Sequence, residues 1–263
     1  MPDEGQPLIV SFTGGIGAQI LSLGIVFDQK DRGLPCGIDL TYFNQTPKLA
    51  RPGDGVSIWR WGLEYLGYTA QYVMDLADLE MGDGRLLSDS PEKLQLGIEA
   101  LSKPLVRNRF PSQSTKLTFQ NVSLDSSQGA TPYATFHIRR GDYLNVASWL
   151  VPDEHYIGAA RSVSKIVSHA ILVSDSAITF GVLETFQALF ADVSVLDGGN
   201  GEAGEVHHLL RNSLIHVGSN GQFSLTAGLL SESLYLAPKK FLGGKSESEV
   251  VLSSLSSFAV VAK

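Results

Sequence analysis

One cysteine, Cys36, is all that 263 residues provide. A lone thiol excludes an intrachain disulfide framework and fits a reducing compartment. Positive charge is not in excess either. Twenty Lys and Arg against 27 Asp and Glu leave a net charge of -7, so no general attraction to nucleic acid or anionic membrane is expected. Long apolar runs are missing: stretches such as Ile20 to Phe27 fall well short of the roughly 20 residues that a membrane span needs. The start, Met1-Pro2-Asp3-Glu4-Gly5, is acidic and lacks the basic-then-apolar layout of a secretory signal. A cytoplasmic enzyme is the expectation, and the sequons at Asn44 and Asn121 read as chance. Metal patterns are absent too. The six histidines are scattered or adjacent, no Cys/His cluster or His-x-x-x-His pair occurs, and there is no Asp-x-Asp.

What is present is alternation of strand-like and helix-like segments. Leu8 to Phe12 reads as a buried strand, followed by the glycine-rich turn Thr13-Gly14-Gly15-Ile16-Gly17 and a helix from about Ala18 to Asp31 that Gly33 stops. Pro35 to Phe43 supplies the next strand. Ser90 as N-cap, Pro91 at the first helical position and Pro104 beyond the end bracket another helix. The chain turns small and polar at Asp125-Ser126-Ser127-Gln128-Gly129, which places a domain boundary there: residues 1–128 form one lobe and 129–263 the other. The second lobe repeats the alternation, with strands at Tyr133–Ile138, Ala170–Ser174, Val193–Leu196 and Leu214–Val217. Helices are expected around Glu154–Val167, Ile178–Ala191, Glu205–Asn212 and Gln222–Leu234. The fold class is therefore α/β, two Rossmann-like lobes with a cleft between them and ligands beyond the carboxyl ends of parallel strands.

Three segments carry candidate chemistry. His137-Ile138-Arg139-Arg140-Gly141-Asp142-Tyr143 follows a strand, and guanidinium forks match a diphosphate; a surface loop in which Arg140 and Asp142 neutralise each other is the plain alternative. Ser219-Asn220-Gly221-Gln222-Phe223-Ser224 links a strand to a helix, where free N–H groups and the helix dipole favour an anion, or simply make a turn. Gly14-Gly15-Ile16-Gly17-Ala18-Gln19 opens a helix and lets backbone approach a ligand. With Asp39 about 20 residues on it also invites a dinucleotide reading, although Ile20 holds the third glycine's place. Asp175 lies just after a strand, near the expected crevice or capping a helix. The aromatic stretch Trp59 to Tyr68 is read mainly as core.

Together the three segments resemble the signatures of the α-1,2-fucosyltransferase family: GGLGNQ at Gly14 to Gln19, HxRRGDY matched in full at His137 to Tyr143, and SNSSFSWW at Ser219, Asn220, Phe223 and Ser224. The resemblance implies a two-lobed GT-B fold, GDP-fucose as donor, inversion at the sugar carbon, a saccharide acceptor, no metal and no other cofactor. By position it puts Arg139 on the β-phosphate, His137 near the guanine, Glu205 at the base edge, and Ser219 to Ser224 around phosphate. Gly15, Gly17, Gln19, Arg140 and Asp175 complete the expected donor site. Asp142 or Glu154 is a candidate base. Ala18 replaces the family's asparagine, and Leu225-Thr226 its tryptophan pair. Another GDP-sugar, a former transferase that only binds a GDP-sugar, and an NAD-dependent oxidoreductase are the competing readings. Peripheral membrane association through the acceptor or a partner stays open.

Overall fold

Residues 7–44, 60–111, 117–119, 122–124, 132–145, 149–197, 203–238 and 258–260 are described by the computed structural model. The chain divides into two units, Met1–Pro111 and Ser112–Lys263. This division falls after Pro111, whereas the sequence placed the boundary after residue 128.

The first unit opens with strand β1 (Leu8–Ser11), helix α1 (Ile16–Asp31) and strand β2 (Cys36–Asp39). α1 is apolar nearly all round, from Ile16 to Phe27, because it is buried nearly all round. Gly33, at φ 68°, ends it in the left-handed conformation that glycine takes without strain. β2 is shorter than the Pro35–Phe43 strand expected. The Asp39 carboxylate accepts from the Thr41 N–H (2.9 Å) and hydroxyl (2.7 Å), turning the chain into a 3-10 turn over Thr41–Asn44. α2 (Ala70–Met74), β3 (Arg85–Leu87), α3 (Pro91–Ser102) and α4 (Pro104–Arg107) follow. Ser90 caps α3 as expected, its hydroxyl accepting from Lys93 N at 3.1 Å, and Pro104 both ends α3 and starts α4. The sheet is parallel in the order β2-β1-β3. Trp61 lies 5.7 Å from Phe12 and from Phe43 between ring centroids, so this part of the aromatic stretch packs on core as anticipated.

The second unit holds a two-stranded hairpin, β4 (Leu117–Phe119) and β5 (Val122–Leu124), then β6 (Tyr133–Ile138), α5 (Asp153–Val163), β7 (His169–Ser174) and α6 (Phe180–Leu189). β8 (Asp192–Asp197), α7 (Ala203–Arg211), β9 (Ile215–Val217), α8 (Gln222–Leu230), β10 (Leu234–Ala237) and β11 (Phe258–Val260) complete it. All six strands from β6 on pair in parallel, in the order β11-β10-β9-β6-β7-β8. Counted along the unit this is 6-5-4-1-2-3, the doubly wound Rossmann order, with its switch point between β6 and β9. β6 and β7 are buried along nearly their whole length because helices cover both faces of the sheet. One face packs Phe136, Tyr156, Ala160 and Phe186; the other packs Ile171, Leu209, Leu210 and Ala227. Both units are thus α/β with parallel sheets. Among the described residues no helix is long and apolar enough to cross a membrane.

Candidate functional site

Register assembles the site. β6 pairs with β7 up to Ile138↔Ser174, so the next residues along each strand, Arg139 and Asp175, emerge side by side. Arg139 Nε stands 3.1 Å from Asp175 Oδ2, and its guanidinium lies over the Tyr143 ring at 5.2 Å. The other carboxylate oxygen of Asp175 accepts the backbone N–H groups of Arg140 (2.7 Å) and Gly141 (3.0 Å). A Cβ at Gly141 would collide with that carboxylate, so glycine is required by the close approach. Asp175 is therefore the post around which the arginine loop is wound. The sequence reading gave it to the ligand; the structure directs its oxygens to protein donors.

Arg140 needs a similar correction. Successive residues point opposite ways as the strand ends, and its guanidinium donates to Val151 O (2.7 Å) and to the Asp153 carboxylate, over the Tyr156 ring. Only 12% of its side chain is exposed, against 38% for Arg139. The two arginines divide the labour: Arg140 fastens the loop to α5, and Arg139 faces outward. Asp142 lies in a 3-10 turn, Gly141–Asn145, but its side chain lies outside the described residues.

β9 ends on the other side of β6, with Phe136 paired to Val217. His137 therefore meets the turn after β9, where its Nδ1 lies 3.1 Å from Ser219 Oγ. Burial holds this imidazole down to about 3, with His216 and Arg139 adding to the effect, so it is neutral at pH 7. Ser219 N donates to Ser224 Oγ (3.1 Å), and that hydroxyl lies 2.9 Å from His216 Nε2. Asn220 donates to Trp149 O at 3.1 Å. Phe223 stands between His137 and His207, with ring centroids 5.5 and 5.1 Å away. Ser219, Asn220, Phe223, Ser224 and His137, all expected on the ligand, thus have internal partners that build the turn. Gly221, the N-cap of α8, takes φ 135°, ψ 155° and has no side chain with which to cap the helix. Leu225 N makes the first intrahelical bond, to Gly221 O at 3.2 Å, so the N–H groups of Gln222 and Phe223 belong to the helix's uncapped end. A Cβ on Gly221 would sit 2.9 Å from the Tyr143 hydroxyl. Tyr143 therefore touches both motifs, lying under the Arg139 guanidinium and against the start of α8. A cation and a helix's positive end converge beyond the carboxyl ends of β6 and β9, an arrangement that favours an anion.

The other candidate residues are Glu205, Glu154 and those of the glycine turn. Glu205 is exposed in the first turn of α7, without a hydrogen bond or ion pair among the described residues. Glu154 is likewise exposed, in the first turn of α5. In the first unit Gln19 is fully buried. It donates to Gly14 O (3.0 Å) and Arg60 O (3.1 Å) and accepts from Gly62 N (2.9 Å), so it braces the glycine turn. Gly17 is buried within α1. Gly15 is exposed at the helix start, and a Cβ there would meet nothing within 4 Å. Asp39, the mark of the dinucleotide reading, is buried on Thr41.

No protein-family model matches the chain, and no curated protein sequence does. Solved structures with a similar course include E. coli heptosyltransferase WaaC with ADP-2-deoxy-2-fluoro heptose, at TM-score 0.41 and 12% identity, covering 88% of each chain. POFUT1 in complex with GDP gives 0.43 and 11%, over 89% of this chain and 96% of that one. E. coli ADP-heptose LPS heptosyltransferase II gives 0.42 and 13%, over 90% and 87%.

Several residues that shape the site escaped the sequence reading. Tyr143 was seen only as the end of a motif, and Asp153, Trp149, Thr135 and His216 not at all. Asp153 carried a signal, since an acidic residue in a helix's first turn near a strand-end arginine is a natural partner. His216 carried none, because a histidine inside a short strand looks like any other half-apolar position. Lys93 is the first unit's counterpart: almost fully buried, it donates to Ser11 O (2.6 Å) and Thr13 Oγ1 (3.3 Å) beneath the glycine turn.

Proposed function

We propose that the chain is an inverting glycosyltransferase that moves L-fucose from GDP-fucose to a saccharide hydroxyl, in α-1,2 linkage and without a metal. The observation that carries this reading is Arg139. It is an outward-facing guanidinium at the Rossmann switch point beside the uncapped start of α8, inside a full HxRRGDY signature. As the bond from the anomeric carbon to the diphosphate breaks, the electron pair passes to the β-phosphate oxygen, and Arg139 with the α8 amides offsets that charge. The acceptor hydroxyl attacks from the opposite face, which inverts the centre, and loses its proton to a base or to solvent. Asp142 is the candidate base nearest in sequence to the arginines.

Arg139→Ala is expected to cut turnover ~100-fold or more while leaving the fold intact. The measurement is GDP release from GDP-fucose, with and without saccharide acceptors, beside calorimetric titration of GDP, ADP and NAD. Transfer by Arg139→Ala at near the parent rate would overturn the leaving-group role. Ala18, buried in α1 in place of the family's asparagine, favours a second reading in which the unit holds a GDP-sugar without turnover. That reading gains if GDP binds and no GDP is ever released from GDP-fucose.

A further inference from the structure

His216 is fully buried in β9, opposite Thr135 of β6, and stacks on Tyr235 with centroids 5.2 Å apart. Its hydrogen bonds have one consistent direction. Leu210 O can only accept, so the Ser213 hydroxyl, 2.8 Å away, donates to it. Ser213 Oγ then accepts from the Thr135 hydroxyl at 3.0 Å. With its hydrogen committed, Thr135 accepts from His216 Nδ1 at 3.0 Å, which makes Nδ1 the protonated nitrogen. Burial keeps the ring neutral, its pKa lowered to about 3, so Nε2 carries a lone pair. Nε2 accepts from the Ser224 hydroxyl at 2.9 Å, and Ser224 Oγ accepts from Ser219 N–H at 3.1 Å. Five bonds thus run from the turn into the sheet, each hydroxyl and the ring donating once and accepting once.

We infer that His216, as its Nδ1–H tautomer, is the positioning residue of the turn from Ser219 to Gln222. Through Ser224 it holds the Ser219 N–H inward and so sets how the start of α8 is presented. The inference rests on the nucleotide-diphosphate reading of this unit for its functional consequence, though not for its chemistry. It assigns the Ser219 amide and the Ser224 hydroxyl to the relay, so an anion meets this turn through the amides that follow and through Arg139. The other ionisable groups near the ring are His137, His207 and Tyr235, and the Tyr235 side chain also reaches Ser224.

Thr135→Val is the decisive variant. It keeps the side chain's shape, removes the acceptor for Nδ1–H, and lies on the far side of the ring from the turn. It should lower GDP affinity about tenfold, the scale of one lost buried hydrogen bond, and speed hydrogen exchange at the Ser219 amide. Thr135→Ser, which restores the hydroxyl, should recover both. A merely structural threonine would shift the melting temperature and leave GDP affinity and Ser219 exchange unchanged, and that result overturns the inference. Long-range 15N NMR of the parent protein needs no variant: a protonated Nδ1 supports the relay and a protonated Nε2 overturns it. If the parent binds no GDP, the nucleotide reading fails by itself. The relay is then decided by the tautomer and by protection of the Ser219 amide.

Discussion

Gly221→Ala tests the geometry of the proposed anion cradle most directly. At φ 135°, ψ 155° the residue occupies a region that is essentially reserved for glycine, and an L side chain there is strained by about 1–3 kcal/mol. The added Cβ also lies 2.9 Å from the Tyr143 hydroxyl, so Tyr143 must yield by a few tenths of an ångström. An overpacking penalty of order 1 kcal/mol brings the total to about 2–4 kcal/mol. For a unit of about 150 residues each kcal/mol moves the melting temperature by about 2–4 °C, so a fall of about 5–15 °C is expected. A second variant separates the causes. Tyr143→Phe removes the oxygen that the methyl meets but leaves the backbone strain, so the double variant should regain less than half of the loss. A chain that escapes the strain by rotating the peptide before residue 221 re-aims the first amides of α8, and GDP affinity should fall at least about tenfold. Thermal unfolding by circular dichroism and GDP calorimetry make the measurement. A melting temperature within 2 °C of the parent, with unchanged GDP binding, would refute the reasoning.

Three further outcomes are expected. Asp175→Ala leaves the N–H groups of Arg140 and Gly141 without their acceptor and Arg139 without its partner. It should weaken GDP binding more than Asp175→Asn, which keeps one carbonyl oxygen; equal affinities for the two variants in calorimetry would count against the post-like role of Asp175. Burial lowers His137 and His216 to about 3, His155 to about 4 and His207 further, all below the ordinary 6.5. Their folded values are depressed, so their stabilising contribution is full above pH 6.5 and is lost as pH falls toward 4. At about 1.4 kcal/mol per pH unit for each of the three rings lowered to about 3–4, the second unit should lose roughly 4 kcal/mol per unit below pH 6. A urea midpoint unchanged between pH 7 and 5 would contradict this. Cys36 is buried, and burial, with Asp78 adding to it, raises its thiol to about 12. The native protein should resist iodoacetamide at pH 8 and react once unfolded, as mass spectrometry would record.

The sequence made β6, β7 and α3 legible for physical reasons. β6 shows alternating side chains that stop where the charges begin, β7 has an apolar centre, and Ser90-Pro91 is a helix start whose donors and φ angle are already arranged. β3 is three residues long, too short for any period to show, and the helix expected over Gln222–Leu234 overruns α8 and touches only the first residue of β10. The residues of the candidate site stand out in the sequence, but their partners do not. That Arg139 ends a strand follows from composition; that Asp175 braces it follows from Ile138 pairing with Ser174, which local pattern cannot supply. Gln19, Ser219 and Ser224 are expected on the donor because of their places in the resembled signatures. Burial shows that their hydrogen bonds are made at home.

Neighbouring arginines that serve opposite ends make the middle of the six-stranded sheet intolerant and its margins permissive. A one-residue slip between β6 and β7 would swap Arg139 for Ile138 or Arg140 and bring apolar bulk or the wrong cation to the mouth. Lengthening at β8 or β11 changes nothing there, since both strands lie at the borders of the sheet. Variants with altered margins should therefore retain an anion cradle, while the central pair of strands has to be inherited unchanged.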